Sequence, residues 1–155
     1  CVREDKVVLL DRRQKLVLNE DAIKEKFGVF PVSIPDWLAL VGDSADGIPG
    51  LPRWGAKSSA IILNRYETIE KIPKDPEKWD VKIRGQKGLA KTLQEQAAQA
   101  RLYKSLTTLR LDVPLAESLE DLEWRGADRE KLAAFCERTG DSRLMERVHK
   151  WNDQC

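Results

Sequence analysis

The strongest constraint on this chain is the run Gly42-Asp43-Ser44-Ala45-Asp46-Gly47-Ile48-Pro49-Gly50-Leu51-Pro52-Arg53-Trp54-Gly55-Ala56-Lys57-Ser58-Ser59. Two carboxylates three residues apart enter a loop rich in glycine and proline, and the loop opens an apolar helix containing Ala60, Ile61, Ile62 and Leu63. Glycine and proline keep a regular element from running through such a loop, so the spacing predicts a tight hairpin joining two helices. Its backbone amides should face outward where the second helix begins, and the helix dipole adds to them. A phosphate fits there, with Lys57 to neutralise it and the Ser58 and Ser59 hydroxyls as further donors. These donors address a nucleic-acid backbone and no base edge, so binding should be independent of sequence and weakened by salt.

Asp43 and Asp46 admit two readings. An Asp in a turn commonly accepts hydrogen bonds from nearby amides. The same pair can share one hard divalent cation, Mg²⁺ or Mn²⁺. Two carboxylates alone do not hold the two ions, about 3.5–4 Å apart, of two-metal phosphodiester hydrolysis.

The remainder reads as mostly α with a small N-terminal β hairpin. Lys6–Leu10 and Lys15–Leu18 are β-prone runs about a polar turn. A helix over 21–28 has an Asn or Asp cap at its start and Gly28 at its end, and Pro35 opens a second helix over 36–41. The third helix covers 57–66, a short one follows over 67–72, and 77–85 carries no assignable pattern. Strong helix formers from Gln86 to about Leu109 predict the longest helix. Leu111–Leu122 reads as loop, and 128–135 and 142–148 as closing helices. With Lys+Arg 27 against Asp+Glu 26 the net charge is +1, so any basic footprint has to be local. No apolar run reaches the length of a membrane span or signal peptide. Cys1, Cys136 and Cys155 lack zinc-site spacing and are expected as reduced thiols. Arg101 and Lys104 could extend a backbone-contacting patch, though a solvated helix face is the simpler account. Trp37, Trp79, Trp124 and Trp151 are expected to pack, Trp54 is the one placed to stack on a base, and His149 has no evident role.

The run from Gly42 to Ser59 resembles the helix-three-turn-helix segment of the 5′-nuclease family, which includes the 5′→3′ exonuclease domain of bacterial DNA polymerase I, stand-alone 5′→3′ exonucleases and flap endonucleases. The family pattern G-D-x-S-D-N-I-P-G-V-x-G-I-G-x-K-T-A appears here as G-D-S-A-D-G-I-P-G-L-P-R-W-G-A-K-S-S. Phe27-Gly28-Val29, the 34–40 segment, Leu106–Pro114 and the helix from Asp128 are also similar. The resemblance implies a helix-hairpin-helix domain of SAM-like helical-bundle type over 21–155, preceded at 1–20 by the last strands of a resolvase-like catalytic domain. It implies 5′→3′ exonuclease and structure-specific 5′-flap nuclease activity on DNA. Asp43 and Asp46 would complete a Mg²⁺ or Mn²⁺ position, and Gly50, Leu51, Arg53, Gly55, Lys57 and Ser58 would grip a duplex. The carbonyls of Leu51 and Trp54 would hold a monovalent cation, K⁺. Ala45, Gly47, Arg53 and Trp54 depart from the pattern; Arg53 replaces a glycine and so alters the hairpin's backbone preference.

Because Cys1 falls where the family's D-x-D-x-x-Q segment would just have ended, the chain is expected to be the C-terminal part of such a nuclease, a stand-alone exonuclease rather than a polymerase, and incomplete as a catalyst. A monomer in the bacterial cytoplasm, at the nucleoid and without membrane contact, is expected. The alternative is a non-catalytic helix-hairpin-helix DNA-binding module; a helical protein-interaction domain is a weaker third reading.

Overall fold

The computed structural model describes residues 1–4 and 6–152, so Cys155 lies outside the described residues. The chain divides into two compact units, Cys1–Arg110 and Leu111–Cys155.

In the first unit, β1 (Leu9–Asp11) and β2 (Leu16–Leu18) pair antiparallel with Leu10 opposite Val17. Asp11 closes the turn by accepting the amides of Arg13 and Gln14, both at 2.9 Å. Both strands are shorter than the sequence suggests, and Leu9, Leu10, Leu16 and Val17 are exposed. Helix α1 (Glu20–Phe27) starts where Asn19 accepts the amide of Ala22 and stops at Gly28, which is left-handed. Helix α2 (Ile34–Val41) begins with Pro35 in its first turn. Helix α3 (Ala56–Tyr66) buries Ser59, Ile62 and Leu63, an i, i+3, i+4 stripe. Each of its two buried aliphatic side chains stabilises the fold by about 1.5–3 kcal/mol.

Two expectations require correction. The short helix over 67–72 is only a 3₁₀ turn at Ile69–Lys71, because Glu67 leaves helical geometry with a positive φ (64°) and Thr68 is extended. The single long helix is two, α4 (Gln86–Glu95) and α5 (Ala97–Thr107), bent at Gln96. Hydrogen bonds continue on both sides of the bend, from Gln96 to Thr92 and from Ala100 to Gln96, both 2.9 Å. The bend lets α5 pack on α2 while α4 buries Leu89 and Ala90. Uniform helix formers give no sign of it. The core gathers Val29, Leu40, Leu51, Ile62, Leu63 and Trp79 from five segments. The 77–85 connection, without pattern in the sequence, is anchored by buried Trp79, whose indole donates to the Pro73 carbonyl at 2.8 Å.

In the second unit, α6 (Arg129–Thr139) is capped by Asp128 and ended by left-handed Gly140, and α7 (Arg143–Glu146) is a single turn, shorter than expected. Ala127 bridges Trp151, and the Arg129 guanidinium lies 4.1 Å from the Trp151 ring centre. Trp124 is 65% exposed, contrary to its expected packing role. Cys136 is a buried free thiol, and Cys1 an exposed one. Among the described residues no helix is long and apolar enough to cross a membrane.

Candidate nucleic-acid interface

The hairpin between α2 and α3 is built from backbone contacts. Asp43 and Ile48 exchange both amide bonds at 2.8 Å, closing a small loop around Asp46. The Leu51 amide then donates to the Leu40 carbonyl at 2.8 Å, pinning the chain back onto the end of α2. This return demands glycine at two facing positions. A Cβ on Gly50 (φ 70°) would lie 2.5 Å from the Val41 carbonyl carbon and 2.6 Å from the Gly42 nitrogen. One on Gly42 (φ 89°) would meet the Ile48 oxygen at 2.7 Å. A side chain at either site would push the hairpin away from α2.

Arg53 stands at φ 71°, so the backbone keeps the left-handed conformation that a glycine would adopt there without strain. Holding a non-glycine residue in this region costs about 1–2 kcal/mol. Its guanidinium lies against Gly88 of α4, where an added Cβ would approach Nη1 to 2.8 Å. Trp54 is buried, with its ring centre 6.4 Å from that of Trp79. It is therefore core, and the base-stacking role suggested by its position is overturned. Leu51 is buried too, and its carbonyl accepts the Trp54 amide at 3.2 Å.

At the start of α3, Ser58 turns back on Gly55. Its hydroxyl accepts the Gly55 amide at 3.1 Å and donates to the Gly55 carbonyl at 3.0 Å. The amides of Ala56, Lys57 and Ser58 have no acceptor among the described residues, the arrangement that receives an anion. Lys57 is exposed beside them. Ser59, expected as a further hydroxyl donor, is wholly buried, and its Oγ has no hydrogen-bond partner among the described residues. Lys57, Ser58 and Arg53 line an open recess of about 590 Å³ that Lys82 and Arg84 line as well. Those two cations lie outside the motif, in the stretch that shows no assignable pattern, and sequence reading passes over them.

Lys104 does not join this surface. It pairs with buried Asp36 at 2.9 Å and with Glu70 at 2.7 Å, while Asp36 also accepts the Ile69 amide at 2.7 Å. Burial opposes charge on Glu70, but the hydrogen bond and charge of Lys104 outweigh it and hold the carboxyl below its ordinary value. Partial burial likewise opposes charge on Lys104, and the two carboxylates overcome it and raise its pKa.

Of the two acids, half-buried Asp43 accepts the Ala45 amide through Oδ1 at 2.9 Å, and Asp46 is exposed on the same small loop. The turn-closing reading of Asp43 is thus realised, and its second carboxylate oxygen is left for another partner. As donors both suit a hard cation. Among the described residues no group of three or more His, Cys, Asp or Glu is arranged to hold a metal ion, so the pair falls short of a complete metal cage.

A family profile described as 5′-3′ exonuclease, C-terminal SAM fold, matches residues 29–130. The chain is 34% identical over 128 residues to DNA polymerase I of Bacillus caldotenax, covering 83% of this chain and 14% of that protein. It is 33% identical over 120 residues to flap endonuclease Xni of Yersinia enterocolitica, covering 75% of this chain and 44% of the relative. It is 29% identical over 119 residues to a 5′-3′ exonuclease of Buchnera aphidicola, covering 76% and 42% respectively. The chain thus spans less than half the length of each of these relatives.

Proposed function

The chain belongs to the 5′-3′ exonuclease family, whose C-terminal SAM fold it carries, and on that premise we propose that it grips the backbone of duplex DNA next to a 5′ end or flap, within a nuclease that hydrolyses the phosphodiester. The observation that carries this is the start of α3, where Lys57 and its neighbours Ala56 and Ser58, all three with amides that have no acceptor among the described residues, line the same open recess. Such donors recognise phosphate without reading sequence. Gly50 and Leu51 hold the hairpin against α2, Gly55 opens α3, Ser58 fixes that first turn, and Arg53 adds charge.

Asp43 and Asp46 contribute two oxygen ligands to a Mg²⁺ or Mn²⁺ position completed by residues beyond this chain; when bound, the ion would offset charge developing on the phosphoryl oxygens. The chain alone then binds DNA without cleaving it. Titrated Mn²⁺ should broaden the amide NMR signals of residues 43–48, and unaffected signals there would refute the assignment. The left-handed backbone retained at Arg53 supports a K⁺ site at the Leu51 and Trp54 carbonyls, and replacing K⁺ by Li⁺ should then weaken DNA binding. The central test is fluorescence anisotropy with a 5′-flap duplex. Binding at 50 mM salt should fall as salt rises, and Lys57→Ala should lower the slope of log K against log salt by about 0.9. No binding at low salt would refute the reading.

A further inference from the structure

We propose that Lys82 and Arg84 are a second set of phosphate contacts, holding at this recess the same nucleic-acid backbone that Lys57 and the start of α3 hold. This rests on the DNA-binding reading above and extends it to residues outside the hairpin motif.

Along the segment that carries them exposure alternates, although the chain there is irregular, with a bend at Val81 and a turn over Arg84 and Gly85 that the Gln86 amide closes on the Ile83 carbonyl at 3.2 Å. Val81 and Ile83 are half-buried and pack on the core, whereas Lys82 and Arg84 are exposed. Arg84 is then succeeded by Gly85, left-handed at φ 76°, from which α4 departs. Lys82 thus lies between two packed residues, and Arg84 between packed Ile83 and the turn that opens α4.

The recess they complete has one sign of charge. Arg53, Lys57, Lys82 and Arg84 line it and no carboxylate does, although the whole chain carries 27 basic and 26 acidic residues. None of the four has a carboxylate partner among the described residues. Several nearby cations do: Arg65 pairs with Asp80, Lys87 with Glu77 at 2.9 Å, and Lys91 with Glu95 at 3.7 Å. Four uncompensated cations around one recess repel one another, and an incoming polyanion relieves that repulsion. The recess is open and its cations are solvated, which suits a polymer whose affinity comes from releasing many counterions; a single free phosphate would gain little there.

The test uses the full chain, a blunt DNA duplex and anisotropy between 50 and 200 mM KCl. Lys82→Gln/Arg84→Gln removes both charges and keeps side-chain length, and circular dichroism checks that the fold is unchanged. If each residue meets one phosphate, the salt slope should fall by about 1.8, which is about eightfold in affinity per contact at 0.1 M salt if binding at 1 M is unchanged. Lys87→Gln and Lys91→Gln, which remove ion-paired cations, should leave affinity and slope nearly as they were. Inorganic phosphate at millimolar concentration should compete poorly. Wild-type affinity and slope in the double variant, with Lys57→Ala still weakened, would overturn this inference and leave the DNA-binding reading standing. Equal losses from the Lys87 and Lys91 variants would overturn it as well, by showing a diffuse charge effect. Failure of the unaltered chain to bind at 50 mM would overturn both.

Discussion

Replacing Gly50 by Ala separates two reasons for a glycine, and the structure supplies the controls. Left-handed backbone alone costs a residue with a Cβ about 1–2 kcal/mol, and Arg53 shows that this fold tolerates it at one hairpin position. Gly47 is also left-handed (φ 72°), but a Cβ there meets nothing within 4 Å. Gly47→Ala should therefore cost only the conformational share, about 1–2 kcal/mol. At Gly50 the new methyl would sit 2.5–2.6 Å from three backbone atoms of Val41 and Gly42, and backbone cannot step aside as a side-chain tip can. The hairpin must lift from α2. That sacrifices the Leu51 to Leu40 hydrogen bond, worth about 0.5–1.5 kcal/mol, and part of the burial of Leu51, about 1 kcal/mol or more. The sum is about 3–4 kcal/mol, a fall of about 6–16 °C in Tm for a protein of this size. Urea denaturation followed by circular dichroism reads both variants. If Gly50→Ala costs no more than Gly47→Ala, the close-approach argument is wrong.

Three other perturbations test the packing around the interface. Lys104→Met leaves Asp36, 1% exposed, with only the Ile69 amide, and should cost about 3 kcal/mol; Asp36→Asn in the same chain should recover part of it, and additive losses would refute the pairing. The pH dependence of that network has a definite sign. Glu70 is depressed below its ordinary 4.5, so its contribution is whole above that pH and lost as pH falls through the lower folded value; Lys104 is raised above 10.5, so its contribution is whole below that pH and lost as pH rises through the higher folded value. Denaturation midpoints measured across both ranges should show both losses in the unaltered chain and smaller ones in the Lys104→Met/Asp36→Asn variant, because Glu70 keeps its Thr68 hydrogen bond and other shifted groups remain. Ser59→Ala removes a buried hydroxyl without a partner among the described residues and should raise stability by about 1 kcal/mol; a loss of similar size would mean that the hydroxyl is satisfied. Gly88→Ala should gain up to about 1 kcal/mol in helix propensity while displacing only the tip of Arg53. A higher Tm with altered DNA affinity is the expected result, and a fall in Tm would show the α4 backbone to be constrained there.

The features legible in the sequence are those decided within a few residues. Asn19 and Gly28 bracket α1 because a cap and a left-handed stop act on amides and carbonyls one turn away. The acids, glycines and Lys57 of the hairpin are likewise close together in one run, so their order alone carried the family and the proposal of a phosphate site. What the tertiary structure decided depends on segments meeting after a long excursion of the chain. Gln96 bends a run of good helix formers because α5 must reach α2 while α4 covers another part of the core. Lys104 is withdrawn from the surface by Asp36, 68 positions away, and Trp54 by its neighbour Trp79. Lys82 and Arg84 reach the recess of Lys57 only because Val81 and Ile83 are drawn into the core. Local propensity and capping have no range over such separations; burial of apolar surface and pairing of buried charge do, and they act only once the chain has folded back on itself.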